Sequence, residues 1–568
     1  MRRSDLVVLC AVILGCGVAA CAQMKPAIEA GAPQPVAAGS YGNYLSARLA
    51  ASDHNMTDAA RLYNASLAAD PNNTDILNHA FLYTAASGDV RDAADLARRV
   101  VANEADNRAA RLALAVEAMK SGDYAAARTQ IAQSAKGPFT ALTLTLLDAW
   151  ACAGQGDLKT AEIDLKQVTT DGGTETLMNF HHAMMLELVG QNEAADAAYR
   201  AAISTGAASP RIAEAYGRFL ERSGRAADTR AYYAKLQSDA ALAPIANAGL
   251  ARVNAGKTPD RLASSPGEGA AEALFGIAAS LNDENSADIA ILYLRLSLYL
   301  SPRLDLAKIL LADRFEALAK LDDAVAVYRT LDKDSPYGPA ASVQIALDDS
   351  RMDRNDEAIA ELQALIRARP DDTTAWTALG DAYRNVEKFT EAADAYDHAV
   401  KTLGAEEAKD WPLYYARAVA EERSHRWDAA EGDLQHALKL SPEQPQVLNY
   451  LGYSWVDQGR NLPEALAMLE KARTLSPNDG YIVDSVGWAY YRLGRYQDAT
   501  KALENAILLV PGDVTINEHL GDAYWKVGRR LEAHYQWSHA LAFGPDATQK
   551  AELEKKLKSG SDSVVEQP

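Results

Sequence analysis

Glycine recurs at a fixed pitch of 34 residues, at Gly88, Gly122, Gly156, Gly190 and Gly224. An alanine keeps the same pitch at Ala59, Ala93, Ala127, Ala161 and Ala195, with Thr229 in the sixth place. It resumes at Ala290, Ala324, Ala358 and Ala392, steps to Ala430 and Ala465, and closes at Ala499 and Ala533. Fourteen copies of one short unit, in a chain of 568 residues, do not make a single packed globule. Such copies stack, so that neighbours share a core that none buries alone.

Each unit reads as two antiparallel helices, A and B. The alanine marks their closest approach, where a larger side chain would force them apart. Four residues later a larger group (Tyr63, Tyr328, Tyr396 or Leu503) lies on the same face of helix B. Proline stands twelve residues after the alanine at Pro71, Pro302, Pro336, Pro370, Pro442, Pro477, Pro511 and Pro545. There it ends helix B, because it cannot continue the helical hydrogen bonding. The pitch glycine supplies the left-handed cap between A and B. In later units Gly380, Gly452, Gly487 and Gly521 fall where helix A nests against helix B. The expected fold is all-α. The segment GKTPDRLASSPGEG, residues 256–269, interrupts the repeat and is read as a loop joining two halves, 41–256 and 270–547. Residues 548–568 are expected to form a charged capping helix followed by a disordered tail from Ser561.

The unit Trp376, Leu379, Gly380, Tyr383, Ala392, Tyr396 and Ala399 resembles the tetratricopeptide repeat (TPR) family, following its order W-x2-L-G-x2-Y…A-x3-F/Y-x2-A. The resemblance implies a right-handed superhelical solenoid of about 14 helical hairpins, with the A helices lining a concave wall. Counting back from the alanines then gives a candidate protein-binding groove. It comprises Asp381, Arg384 and Asn385; Asn449, Tyr453 and Asp457; Asp484, Trp488, Tyr491 and Arg492; and Glu518, Asp522, Trp525 and Lys526. Trp and Tyr are favoured at binding hot spots, and Asn pairs with a partner's backbone in either sense.

The N-terminus carries a different signal. Arg2 and Arg3 precede an apolar run from Leu6 to Val18, too short to span a bilayer, which needs about 20 residues. This reads as a secretory signal. Val18-Ala19-Ala20-Cys21 resembles the lipobox of bacterial lipoproteins. That resemblance implies a signal peptide over 1–20, acylation of Cys21, and delivery to the outer membrane facing the periplasm. Residues 22–40 read as a Pro- and Gly-containing tether. Cys10 and Cys16 leave with the signal, so Cys152 is alone in the mature chain and forms no internal disulfide.

Signals of catalysis are missing. The net charge of −20 offers no basic stripe for nucleic acid. His181 and His182 are adjacent, whereas ligands on one helix face stand three or four apart. No HExxH, CxxC or GxSxG occurs, and Gly256-Lys257-Thr258 lacks the earlier glycine of a phosphate loop, Ala251 standing there instead. Cys152 reads as a small core residue. The expectation is a non-enzymatic scaffold with no cofactor, metal, nucleotide or nucleic-acid partner.

The block from Leu448 to Ala499, with its LNxLGY start and Asp484-Ser485-Val486-Gly487-Trp488, resembles outer-membrane TPR lipoproteins that serve as adaptors for periplasmic carboxyl-terminal processing proteases. That implies a processing protease and its cell-envelope substrates as partners. The alternative is a component of a pilus or exopolysaccharide export machine.

Overall fold

The computed structural model describes residues 40–564, apart from 168–171, 205–208, 240–241, 282–285 and 333–334. The signal segment, Cys21 and the tether up to residue 39 lie outside the described residues. Those described form thirty α-helices and no strand. None of these helices is long and apolar enough to cross a membrane.

Twenty-six of the helices pair as thirteen of the fourteen expected hairpins. All thirteen repeat alanines and Thr229 are at most 1% exposed. Four residues further on, Tyr63, Tyr199, Tyr233, Tyr396 and Leu503 are buried too. A Cβ added to Gly380 would stand 2.4 Å from the Tyr396 ring, and one on Gly521 would stand 2.5 Å from Trp537. The helix A glycine therefore leaves room that the large helix B residue fills. Rings buried in this way still need a partner for their polar tip. Tyr199 donates to Glu187 at 3.0 Å, Tyr233 to Glu221 at 2.6 Å, and Tyr328 to Glu316 at 2.8 Å, each carboxylate lying on the paired helix A.

The turn glycines Gly88, Gly122, Gly156, Gly190 and Gly224 all have positive φ, as a left-handed cap requires. Later turns place Ala319, Asp353, Glu387 and His425 in the same left-handed region, at φ between 56° and 63°.

The interrupting segment differs in detail from the expected loop. A lone helix, Ala243–Asn254, packs on both helices of the sixth hairpin. A Cβ on its Gly249 would lie 2.2 Å from Tyr233, so it takes the place of a helix A with no helix B behind it. The next helix, Pro266–Ser280, takes in the last four residues of the expected loop. Ser265 caps it by accepting the Glu268 N–H at 3.2 Å, and the Glu268 carboxylate accepts the Ser264 N–H at 2.7 Å. Pro266 is tolerated at the first helical position, so the Pro and Gly that read as loop form a capped first turn.

The chain forms two compact units, residues 1–348 and 349–568, so residues 257–269 lie inside the first. In the first unit the hairpin Pro266–Ser280 and Ala287–Leu300 turns back onto earlier A helices. Its first helix packs on Pro138–Gly154 and Gly172–Leu188, and its second on Thr74–Ser87 and Arg108–Ser121. A Cβ on Gly269 would meet the buried Trp150 indole at 2.3 Å. Lys120 donates to the Leu300 carbonyl at 3.0 Å, His54 pairs with Asp288 at 2.7 Å, and Arg211 binds the buried Glu272. The second unit ends in the helix Ala547–Val564, which extends four residues into the segment expected to be disordered.

Candidate binding wall of the second unit

The fourteen predicted groove residues all lie on A helices of the second unit: Thr373–Asn385, Pro445–Asp457, Gly480–Arg492 and Val514–Lys526. Each helix starts on a capped turn. Asp372, Asp479 and Asp513 accept backbone N–H groups of the first turn, and Pro445 stands near the start of its helix. These caps set where each helix begins, and the helix A glycine sets its closeness to helix B. Together they bring the predicted side chains into register from one hairpin to the next.

At the centre of the wall, the buried Asp484 carboxylate bonds to His519 Nδ1 at 3.0 Å. Burial disfavours a charged imidazole, but Asp484 more than offsets it, and Asp522 and Glu518 add to the effect, so the His519 pKa is raised. Trp488 lies parallel to His519 on the next helix, centroids 4.0 Å apart, and to Tyr491 on its own helix at 4.7 Å. Both faces of its indole are therefore covered. Its Nε1–H is buried without a hydrogen-bond partner, as is Asn449 Oδ1. Tyr453 is half-buried, and its phenol is pushed up to about 12 by burial and by the Asp484 and Asp457 carboxylates. Asp457, Arg492, Lys526 and Asn385 are exposed. Arg492 donates to the Asp457 carbonyl at 3.0 Å.

At the C-terminal end of the wall, Lys556 from the terminal helix bonds to Glu518 at 2.6 Å and Asp522 at 2.7 Å. Asp522 also accepts Trp537 Nε1–H at 3.0 Å, and Asp381 plays the same part for the Tyr396 hydroxyl at 2.7 Å. Burial raises the Asp381 pKa against the pull of Arg384, 3.2 Å away. Asp381 and Asp522 thus hold buried rings as well as lining the wall. Tyr491 and Trp525 pack toward helix B: Tyr491 lies edge-on to Tyr496 at 5.3 Å, and Trp525 contacts Trp537 at 5.5 Å beneath Arg530.

Two contributors escaped the sequence reading, His519 and Lys556. Both carry a positional signal. Lys556 stands one 34-residue period after Asp522, and His519 stands 35 residues after Asp484.

A second cluster lies in the first unit, where ligand atoms of Asp148, Cys152 and Asp164 sit within 4.8 Å of one another. Arg128 already binds Asp148 at 2.9 Å. Burial pushes the Cys152 thiol up to about 11, and burial and Asp148 raise Asp164. This chemistry describes an ion pair beside a protonated thiol, a poor fit to a metal that needs thiolate. His181, fully buried, accepts Trp150 Nε1–H at 3.1 Å, and burial pushes its pKa down to about 3.

Comparison with known proteins identifies the repeat. The tetratricopeptide repeat pattern matches residues 81–141, 343–408, 415–480 and 487–537. A TPR repeat-containing protein of Pseudomonas aeruginosa is 34% identical over 93 residues, 16% of either chain. The cytochrome c-type biogenesis protein CycH of Rhizobium meliloti is 31% identical over 157 residues, 28% of this chain and 40% of that protein. The chain thus spans well under half the length of either relative. Among solved structures, the APC/C hetero-tetramer Cut9–Hcn1 matches 86% of this chain and 96% of its own at 17% identity, with a TM-score of 0.38. Tetratricopeptide repeats are thus recognised in those four stretches of the chain.

Proposed function

We propose that this chain is a non-catalytic, lipid-anchored scaffold that captures cell-envelope proteins on the inner wall of its last hairpins. In the finer reading it brings a carboxyl-terminal processing protease to its substrates. The observation that carries the proposal is the polar make-up of that wall. Asp457, Asp484, Glu518, Asp522, Arg492, His519 and Lys556 converge around Tyr453 and Trp488. Buried charges are poorer stabilisers than well-packed apolar side chains, so a surface built only for repeat-to-repeat packing has little use for them. Polar groups beside rigid aromatics suit a partner that binds and leaves.

Crosslinking in cells followed by mass spectrometry of the captured proteins tests the reading. Recovery of a processing protease supports the adaptor; export or pilus proteins in its place count against it. Trp488→Ala with Trp525→Ala is expected to reduce capture at least tenfold while circular dichroism keeps its helical signal. Since Trp488 is covered on both faces, its loss would act by collapsing the His519 platform. Tyr453→Ala is the companion variant that removes an accessible ring. Unchanged capture by both variants would move the site off this wall.

The relative named for c-type cytochrome biogenesis supports a second reading, in which the wall handles components of that assembly. Enrichment of c-type cytochromes or their precursors in the crosslinked fraction would favour it.

A further inference from the structure

The first and last helices of the array are finished differently. At the C-terminal end Ala547–Val564 closes the last hairpin: Leu553 is fully buried and Lys556 is ion-paired to helix A. At the N-terminal end Ser40–Ser52 has one face against its partner helix, with Ala47 fully buried and Tyr44 edge-on to Tyr63 at 6.1 Å. Its other face carries Tyr41, Leu45 and Leu49, exposed by 85%, 65% and 63%. Their i, i+4, i+8 spacing makes one apolar stripe along the helix, with Arg48 exposed beside it. A terminal repeat is ordinarily closed by a polar face. This one is not.

Two facts indicate what covers the stripe. Tyr41 lies 20 residues after Cys21. Read from its sequence as a tether, a segment of that length would have a root-mean-square span of roughly 25 Å, so an anchor at Cys21 would hold the helix close to the headgroups. The helix also carries no acidic side chain and one arginine, in a chain of net charge −20. We propose that the Tyr41–Leu45–Leu49 face rests on an anionic lipid surface, its apolar groups at the headgroup boundary and Arg48 among the phosphates. The inference rests on the reading of Cys21 as the lipid-bearing residue. The second contact would fix how the first hairpin leaves the bilayer, which an anchor at Cys21 alone would not.

The test uses the full mature chain, purified from membranes with its N-terminus intact. It is reconstituted on phosphatidylethanolamine vesicles with and without phosphatidylglycerol. A polarity-sensitive dye on Leu49→Cys is expected to shift to the blue and to be quenched at least twofold by headgroup-depth nitroxide lipid when phosphatidylglycerol is present. Adding Leu45→Asp to the labelled chain is expected to abolish the quenching with helical content unchanged. A dye that stays in water on both kinds of vesicle overturns the proposal. So does a dye shielded before vesicles are added, which would assign the stripe to residues 22–39, or, if sedimentation shows a dimer, to a second copy. The mass of the N-terminal peptide reports acylation separately. An unmodified Cys21 with a quenched dye removes the anchor and keeps the lipid contact, whereas an acylated Cys21 with an unquenched dye removes the contact alone.

Discussion

In the first unit, the A helices Thr74–Ser87, Arg108–Ser121 and Pro138–Gly154 face a hairpin of their own chain. In the second, Pro445–Asp457, Gly480–Arg492 and Val514–Lys526 face no such hairpin among the described residues of that unit; the terminal helix reaches over one end through Lys556 and Gln549. The walls differ accordingly. The hairpin over the covered wall buries Ala270, Ala271, Ala273, Leu274, Ile291 and Leu294, each at most 1% exposed, with a glycine under a tryptophan at its tightest point and polar contacts from Lys120, His54 and Arg211. The open wall shows carboxylates, cations and an aromatic stack. Permanent interfaces are more apolar than exchangeable ones. One repeat therefore builds two kinds of wall here, one closed by the chain itself and one that we propose is left for a partner.

The largest expected effect breaks the covered wall. Gly269→Leu would drive side-chain atoms into the Trp150 indole, in a site with no space to yield. It is expected to cost about 4 kcal/mol or more. Calorimetry should show part of the transition shift to lower temperature while helices of the second unit keep their hydrogen-exchange protection. Equal loss of protection in both units would mean that they unfold as one.

The next variant strikes the open wall. Asp484→Asn leaves His519 charged and buried without its counter-ion, at an expected cost of about 3 kcal/mol at pH 6. Because the folded His519 pKa is raised above its unfolded value, its contribution is complete below about pH 6.5 and fades as pH rises through the folded value. The cost should thus shrink at pH 9, as read from urea unfolding at the two pH values. A pH-independent cost would mean that the imidazole is neutral throughout.

A smaller effect of opposite sign is expected at Glu421. This carboxylate stands one residue before the position that Glu187, Glu221 and Glu316 use to hold a tyrosine, which Glu422 occupies in its unit, and its helix B carries Leu434 in place of that tyrosine. Its Oε2 is buried without a partner, and burial, then Asp433, pushes its pKa up to about 7. The folded state loses stability as pH rises above the ordinary carboxylate value and toward 7. Glu421→Gln should therefore gain roughly 1–2 kcal/mol at pH 8.5 and nothing below pH 4. The smallest effect probes each unit separately. Ala319→Gly in the first and Glu387→Gly in the second relieve a left-handed backbone, with an expected gain of up to about 1 kcal/mol each in its own unit.

The hairpins were legible because their signals are local and repeated. Ala59 and its successors, the turn glycines and the terminal prolines each act within one unit, and the structure places them as read, save Pro336, whose helix B already ends at Tyr328. The folded-back hairpin was not legible. Its closure depends on Gly269 meeting Trp150 and on Lys120 meeting Leu300, pairs more than a hundred residues apart that share no period. Pro266 and Gly269 read as loop because loop and capped helix start draw on the same residues. The wall was legible as a set of positions, since Asp484, Trp488 and Asp522 do come together. The direction of each side chain was not: Tyr491 and Trp525 lean toward helix B because their rings find aromatic neighbours there.

The hairpin over the first wall is joined to the helices beneath it by the same polypeptide. A ligand carried on a short connection competes at an effective concentration in the millimolar range. A free competitor with micromolar affinity would have to be supplied far above that affinity before it displaced such an occupant. Loss of the hairpin's grip, by mutation or by strain, would turn a silent surface into a second receptor without a single new residue.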